Sequence, residues 1–284
     1  MAIIKSQSIG KAKGSIGNIT YAYVGGDTIG KGKIAFPKIP RTRAQMARRV
    51  AWPNIVALWQ SLEGIWHPSF ERAGGRVSDY NLFLSSNIAL PGVYLTKKEA
   101  QAGGCVATGY QLTEGSLPTI QNEIANGVLK SDISVGTLVL DENTTVADFS
   151  NAIVANNLAI QYGDQISLLY VQQSVNSVTG VPFVTSFAYE ITLDGEDEST
   201  ALADVLPADS MSIVDNKLGS AFAVSGAAAF ILSRKEQGET KVSSQKLIVA
   251  NSILATYQSN SAQVSAILSY GGNLETPFLT PNVE

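Results

Sequence analysis

Residues 165–193, QISLLYVQQSVNSVTGVPFVTSFAYEITL, decide the fold. QISLLYVQQSV (165–175) and VPFVTSFAYEITL (181–193) are both rich in β-branched and aromatic residues, which reads as strand. KLGSAFAVSGAAAFILSRK (217–235) and KVSSQKLIVAN (241–251) continue the same signal downstream. The acidic loop DGEDEST (194–200) separates the second of these runs from the third. Upstream, CVATGYQLTEGSLPTI (105–120) alternates and then reaches a turn, and ISVGTLVL (133–140) reads as a further strand. Two helices interrupt the series. TTVADFSNAIVANN (144–157) is amphipathic and capped by Thr144 or Thr145 with Asp148, and SAQVSAILSY (261–270) closes the body. Strands outnumber helices here and crossovers are few. A sandwich or half-barrel over residues 92–272 is therefore expected rather than a doubly wound sheet, with residues 273–284 an extended tail.

The period changes before residue 92. In PRTRAQMARRVAWPNIVALWQSL (40–62), Met46, Val50, Ile55, Leu58, Trp59 and Leu62 recur at helical spacing behind a Thr42 N-cap. Pro53 lies inside this run and predicts a kink or two successive helices. DYNLFLSSNIA (79–89) is a second helix, preceded by the turn AGGRVS, and 96–101 is a short helix or turn. Trp52, Trp59 and Trp66 are spaced by seven and read as anchors of a helical face. Residues 41–91 thus form a helical module, and the whole chain reads as α+β.

The first forty residues differ again. GKAKGSIGNITYAYVGGDTIGKGKIAFPKIP (10–40) alternates in strand period through Ile16, Ile19, Tyr21 and Tyr23, yet carries too few large side chains to close a core. It reads as an extended basic arm that pairs with something else. Lys5, Lys11, Lys13, Lys31, Lys33, Lys38, Arg41, Arg43, Arg48 and Arg49 all fall in the first fifty residues, where Asp27 is the only acid. Net charge is -4 overall, so the remainder is strongly acidic. Such asymmetry predicts that the arm meets an acidic surface, either nucleic acid or the body of a neighbouring copy. No zinc spacing and no aromatic-plus-basic single-strand motif supports nucleic acid, which favours the protein partner. Charged residues are only 15% of the chain, well below the usual quarter, which fits a surface partly covered by neighbours or one rich in Ser, Thr and Asn.

Catalytic chemistry has little to work with. His67, in EGIWHPSFE, is the only histidine, so a metal site with two histidine ligands is excluded and a nucleophile–histidine pair would need this residue. Cys105 is the only cysteine and reads as a small apolar core residue. Asp194, Glu196, Asp197 and Glu198 form the one dense acidic cluster, but DGEDE lacks the order of a calcium loop; it reads as a solvated hairpin turn or a docking patch for the arm. The Gly- and Lys-rich segments lack the strand–GxxxxGK[ST]–helix order of a phosphate loop. Their glycines suit tight turns and close contact between chains. No enzymatic activity, cofactor or metal is expected. The N-terminal MAIIKSQSIG has no apolar run resembling a signal sequence, and no membrane span is expected.

Several blocks taken in order resemble a family of proteins encoded by phages and genomes of Bacteroidetes, including crAss-like phages. They are GSIGNITY with its glycine turn, PRTRAQMARR, SDYNLFLSSNI, YQLTEGSLPTI, NNLAIQYGDQISLL, AAAFILSRKEQGETKVSSQKL and AILSYGG. A related uncharacterised domain family of bacterial genomes has the same SIGN-type start and SR…G…VSSQ-type strand pair. The resemblance implies a virion structural protein, a ring, hub or adaptor of the head-to-tail region or tail, portal-proximal and made in the host cytoplasm. Its expected partners are further copies of itself and other virion proteins. The residues expected to carry assembly are Lys11, Lys13, Tyr21, Tyr23, Lys31 and Lys33 of the arm, with Arg41, Arg43, Arg48 and Arg49 at the helix start. The arm would add strands to an adjacent subunit and the arginines would bind its acidic face. Alternatives are a capsid-associated head protein, and a carbohydrate- or surface-binding module using Tyr162, Tyr170, Phe183, Phe187 and Tyr189, although as a strand set these five are more simply core. A third is DNA contact through the arm.

Overall fold

Where apolar residues occupy every position of a strand rather than alternate ones, both faces of the sheet are covered. That pattern organises this computed structural model, which describes residues 2–4, 13–24, 27–33, 42–67, 69–71, 77–207 and 210–271. The expected tail at 273–284 and most of the AGGRVS turn lie outside those residues. The chain is α+β, with the ladders between strands antiparallel among the described residues, and it divides into two compact units, Met1–Arg41 and Thr42–Glu284.

The first unit corrects the expectation of an extended arm. Strands β1 (Ala2–Ile4), β2 (Gly14–Ile16), β3 (Ile19–Val24) and β4 (Asp27–Gly32) form one sheet in the order β1-β4-β3-β2. Ile16 and Ile19 belong to different strands, joined at Gly17-Asn18, with Gly17 at a φ of 57°. The Lys33 N–H donates to Asn18 O at 2.6 Å and extends the ladder. Strands β2, β3 and β4 follow one another as hairpins and β1 pairs with β4, so main-chain bonds are made within the sheet and few big side chains are needed.

In the second unit the helices come first: α1 (Arg43–Leu62), α2 (Asp79–Asn87) and α3 (Lys97–Gln101). Thr42 caps α1 as expected, accepting from Gln45 N while its own N–H donates to the Gln45 side chain. Pro53 neither breaks nor splits the helix. An interior proline costs about 3 kcal/mol, and packing on both sides of it offsets this. Met46 and Val50 pack against Ala266 and Ile267, while Ile55, Leu58, Trp59 and Leu62 enter the main core. Trp52 departs from its expected role: two residues beyond Val50, it turns away from that stripe and is 43% exposed.

The body continues through β5 (Gln111–Thr113), β6 (Asn122–Ala125), β7 (Val128–Ser134), α4 (Val146–Asn156), β8 (Gln165–Val175), β9 (Pro182–Thr192) and α5 (Leu202–Val205). Then follow β10 (Ser212–Val214), β11 (Lys217–Ala223), β12 (Gly226–Glu236), β13 (Glu239–Val242), β14 (Gln245–Lys246), β15 (Ile248–Val249), α6 (Leu254–Tyr257) and α7 (Asn260–Ser269). The central sheet has the order β13-β12-β8-β9, with β15 also beside β12. Ile166, Leu168 and Tyr170 of β8, with Ala228, Phe230 and Leu232 of β12, face a second sheet of order β10-β11-β7-β6 and helix α4. The alternate residues Leu169, Val171, Ala227, Ala229 and Ile231 face α1 and α2. Two sheets across one core make the body sandwich-like, and helices cover the outer face of the central sheet. Residue 91 is accordingly no boundary, because α1 and α2 share a core with β8 and β12.

Two expected strands are shorter or displaced. Of 105–120 only Gln111–Thr113 forms a strand, paired with β14, and Glu114 and Leu117 add single bridges to Phe70 and Ser243. Along this segment side-chain amides replace a strand partner. Asn54 of α1 donates to Val106 O at 2.9 Å and accepts from Val106 N at 2.7 Å. Asn87 of α2 does the same to Gln111, at 2.9 and 2.7 Å. The strand expected at 133–140 instead spans Val128–Ser134 and ends where Asn157 grips Ser134 N and O. Its hairpin partner β6 reaches it through Asn126-Gly127, both at positive φ (53° and 78°). Asp215-Asn216 and Gln237-Gly238 close two more two-residue hairpins in the same way.

The outer edge of β12 is interrupted between β15 and β13, and side chains fill the gap. Phe230 N donates to Asn122 Oδ1 at 3.1 Å, and Asn122 Nδ2 donates to Phe230 O at 3.1 Å. Leu232 N donates to Ser243 Oγ at 3.0 Å, and Ser243 N donates to Leu232 O at 2.8 Å. At the far end of the sheet, Arg234 forks onto the fully buried Asp164 at 2.6 and 2.8 Å and reaches Ala159 O.

Asn122 Nδ2 points at three acceptors, Ile120 O, Phe230 O and Gln245 Oε1. Asn122→Asp should therefore destabilise the body by about 2–3 kcal/mol at neutral pH, measured by urea unfolding, with part of the loss recovered in acid as the new carboxyl regains a proton to donate. Glu71 offers a native pH dependence. Burial raises its pKa, but donation from Ser116 N and Val242 N and the nearby Lys241 outweigh this and hold the carboxyl below its ordinary value. A depressed carboxylate stabilises the fold above its unfolded pKa, and that contribution is lost as pH falls through the folded one. Glu71→Ala should cost about 2 kcal/mol at pH 7, and the gap to wild type should close on acidification below pH 4.5.

Candidate functional site

Strand register sorts the residues of the N-terminal sheet onto two faces. Ile16 pairs with Ile19, Tyr21 lies between Gly14 and Gly30, and Tyr23 lies opposite Thr28, so Ile16, Ile19, Tyr21 and Tyr23 share one face. Tyr21 is half-buried between two glycines, whereas Ile16 (75%), Ile19 (44%) and Tyr23 (39%) are exposed. Lys31 pairs with Thr20, which pairs with Ser15, and this places all three on the opposite face. Ser15 and Thr20 hydroxyls lie 3.0 Å apart there. The tyrosines and Lys31 therefore do not form one surface, as the linear pattern implied: one face carries Ile16, Ile19, Tyr21 and Tyr23, and the other carries Ser15, Thr20 and Lys31 along with Ala22, Val24 and Ile29.

The other expected partner residues divide as follows. Lys13 and Lys33 flank β2 and β4 and are exposed. Lys11 and Arg41 lie outside the described residues. Arg43 is the first residue of α1, in the second unit, and Arg48 and Arg49 are exposed on the same helix. The Arg49 Nη1 lies 3.8 Å from Met46 Sδ.

The acidic loop is not a hairpin turn. It runs from β9 to α5, and its main chain is docked on the start of α4, where Val146 N donates to Thr200 O and Ala147 N to Asp197 O. The Asp197 carboxylate accepts from Thr200 and Ser199, and these bonds hold its pKa below the ordinary value. Asp194, Glu196 and Glu198 are exposed. No Lys or Arg occurs in the chain between Lys130 and Lys217, so this side of the body carries its acids without sequence neighbours of opposite sign. Among the described residues no group of three or more His, Cys, Asp or Glu could hold a metal ion.

His67 is exposed and packs at a tilt against Trp59, with ring centroids 5.6 Å apart and planes at 59°. Cys105 is buried beneath the helices, and burial pushes its thiol up to about 12. The five aromatic candidates for surface binding do not form a line. Tyr170 is buried, Tyr189 half-buried, and Tyr162 lies beside Gly195 at the end of β9 opposite Phe183. Phe183 and Phe187 are 41% and 37% exposed, against the reading of this set as core. No helix among the described residues is long and apolar enough to cross a membrane.

The chain matches no protein-family model, no curated protein and no solved structure.

Only the thiolate of a cysteine reacts with alkylating agents. Cys105 should thus resist iodoacetamide in the folded protein at pH 8 and label at the ordinary thiol rate in urea, as followed by mass spectrometry.

Proposed function

We propose that this protein is a non-enzymatic structural component that associates with further copies of itself and with other proteins of a phage particle, as a ring, hub or adaptor of its head-to-tail region or tail. The observation that carries the association is the N-terminal sheet: a compact unit with Ile16, Ile19 and Tyr23 exposed on one face. Exposed contiguous apolar surface is a mark of interaction sites. Charge adds direction, because ten cations and one acid lie in the first fifty residues and the body is acidic. The assignment to a phage particle rests on the ordered sequence blocks. Two of those blocks meet in the fold, where Arg234 of ILSRKEQG binds Asp164 of QYGDQ, and Ser243 of VSSQ pairs with Leu232. Their residues hold main chain in place, as fits a structural role.

A protein lacking residues 1–40 should keep the unfolding transition of the body and lose its self-association, measured by light scattering coupled to size exclusion. An unchanged oligomer after this deletion, or a monomer before it at every concentration, would overturn the self-association.

A further inference from the structure

The last strand of the central sheet, β9, has an open side. Extending the β8–β9 register places Asp164 opposite Leu193 and Asn176 opposite Val181. Leu193 N donates to Asp164 O, and Asn176 N donates to Val181 O. Odd residues of β9 therefore bond to β8, and even ones turn their main chain outward. The two ends agree: Pro182 O accepts from Cys105 N, and Asp194 N donates to Ser150 Oγ, both partners lying outside the sheet. Between them, the outward N–H and C=O groups of Val184, Ser186, Ala188, Glu190 and Thr192 make no hydrogen bond among the described residues. An edge of this kind is a template for an added strand. Phe187, 37% exposed, lies on one face of it. Glu190 lies on the other face and is in no ion pair among the described residues.

We propose that β2 of a second copy pairs with this edge, antiparallel, with Ser15 opposite Ala188. The proposal rests on the self-association proposed above and names its contact. Strand β2 is the outer strand of the N-terminal sheet and is exposed at each of its residues. Asn18 O accepts from Lys33 N, so even residues of β3 serve β4 and odd ones serve β2. Their partners Gly14 and Ile16 are thereby engaged, and Ser15 turns its N–H and C=O outward, as does Lys13 by the same alternation. Setting Ser15 against Ala188 brings Lys13 opposite Glu190 and Ile16 opposite Phe187. The smallest shift that keeps main-chain bonds is two residues. It would set Lys13 against Ala188 or Thr192 and Ile16 against Thr185 or Tyr189, so the charge match is lost in both directions. In the register proposed, Phe187, Ile16 and Ile19 fall in one row on one face, and Lys13 neutralises Glu190 on the other. Asp194, Glu196 and Glu198 follow β9 and are exposed, as Lys13 and Lys33 are on the incoming sheet, so the approach is attractive at longer range. Each copy donates β2 and accepts at β9, through different surfaces. This head-to-tail contact closes into a ring or continues as a chain.

The test mixes two full-length variants, Ile16→Cys and Phe187→Cys, and oxidises them. Facing residues of a non-hydrogen-bonded antiparallel pair have Cα atoms about 4.5 Å apart, within disulfide range. The native Cys105 is buried and stays out of the reaction. Non-reducing electrophoresis with peptide mass spectrometry should find a disulfide joining position 16 of one chain to position 187 of the other. None should form when Ala188→Cys, on the opposite face, replaces Phe187→Cys. Absence of the 16–187 link overturns the proposal, as does a link that forms only within a chain carrying both substitutions. In parallel, Ala188→Pro removes an outward N–H and no bond to β8, so it should keep the unfolding transition of the body and weaken self-association roughly tenfold. The disulfide result stands whether or not that variant folds. If deletion of residues 1–40 abolishes association but the 16–187 link does not form, the β9 contact is wrong and self-association stands. If the deletion has no effect, self-association itself fails.

Discussion

The fold depends on the pairing of β8 with β12, two strands buried on both faces, and on how the main chain of β12 is satisfied along its other edge. Every buried N–H and C=O needs a partner, and a strand at the centre of the body cannot turn to water for one. Here β15 pairs with Ala227 and Ala228, and β13 takes over from Ser233. The stretch between is completed by Asn122 on Phe230 and by Ser243 on Leu232. Because Asn122 also begins β6, the bonds that complete the central sheet tie the second sheet to it. The same bidentate amide fixes Asn54 to Val106, Asn87 to Gln111 and Asn157 to Ser134. Four asparagines therefore join helices and strands that no ladder connects.

This device explains what was legible in the sequence and what was not. Helix starts were readable because a cap is local: Thr42 with Gln45 and Thr145 with Asp148 are three residues apart. The long strands were readable because burial on two faces leaves a continuous apolar run. The extent of pairing over 105–120 was not readable, since its partners are single side chains 52 and 24 residues away. The shift from 133–140 to Val128–Ser134 had a visible signal in Asn126-Gly127, the two-residue turn that precedes it. Pro53 misled because the cost of a proline is local and the packing that offsets it is tertiary.

The candidate surface followed the same rule. Composition drew attention to the basic and aromatic residues of the N-terminal stretch, but the face each one occupies is set by register, and a one-residue change in pairing moves a side chain across the sheet. Ile16 and Ile19 come together only because a turn separates them. The acids of 194–200 were conspicuous as a cluster, but the docking of their main chain on the start of α4 joins residues distant in sequence.

The internally paired N-terminal strands also bear on how fast and how tightly such a unit can bind. A disordered arm must freeze its backbone at the moment of contact, and that entropy is subtracted from the affinity. A sheet whose hydrogen bonds already exist brings its Ile16–Tyr23 face as a finished surface, so contact there is limited by encounter and orientation rather than by folding. In the proposed self-association the two collision partners would carry opposite charge, so encounter would be hastened at low ionic strength and slowed as salt screens the attraction. Association through this face would then be under kinetic control by the ionic medium, while the main-chain bonds within the sheet remain indifferent to it.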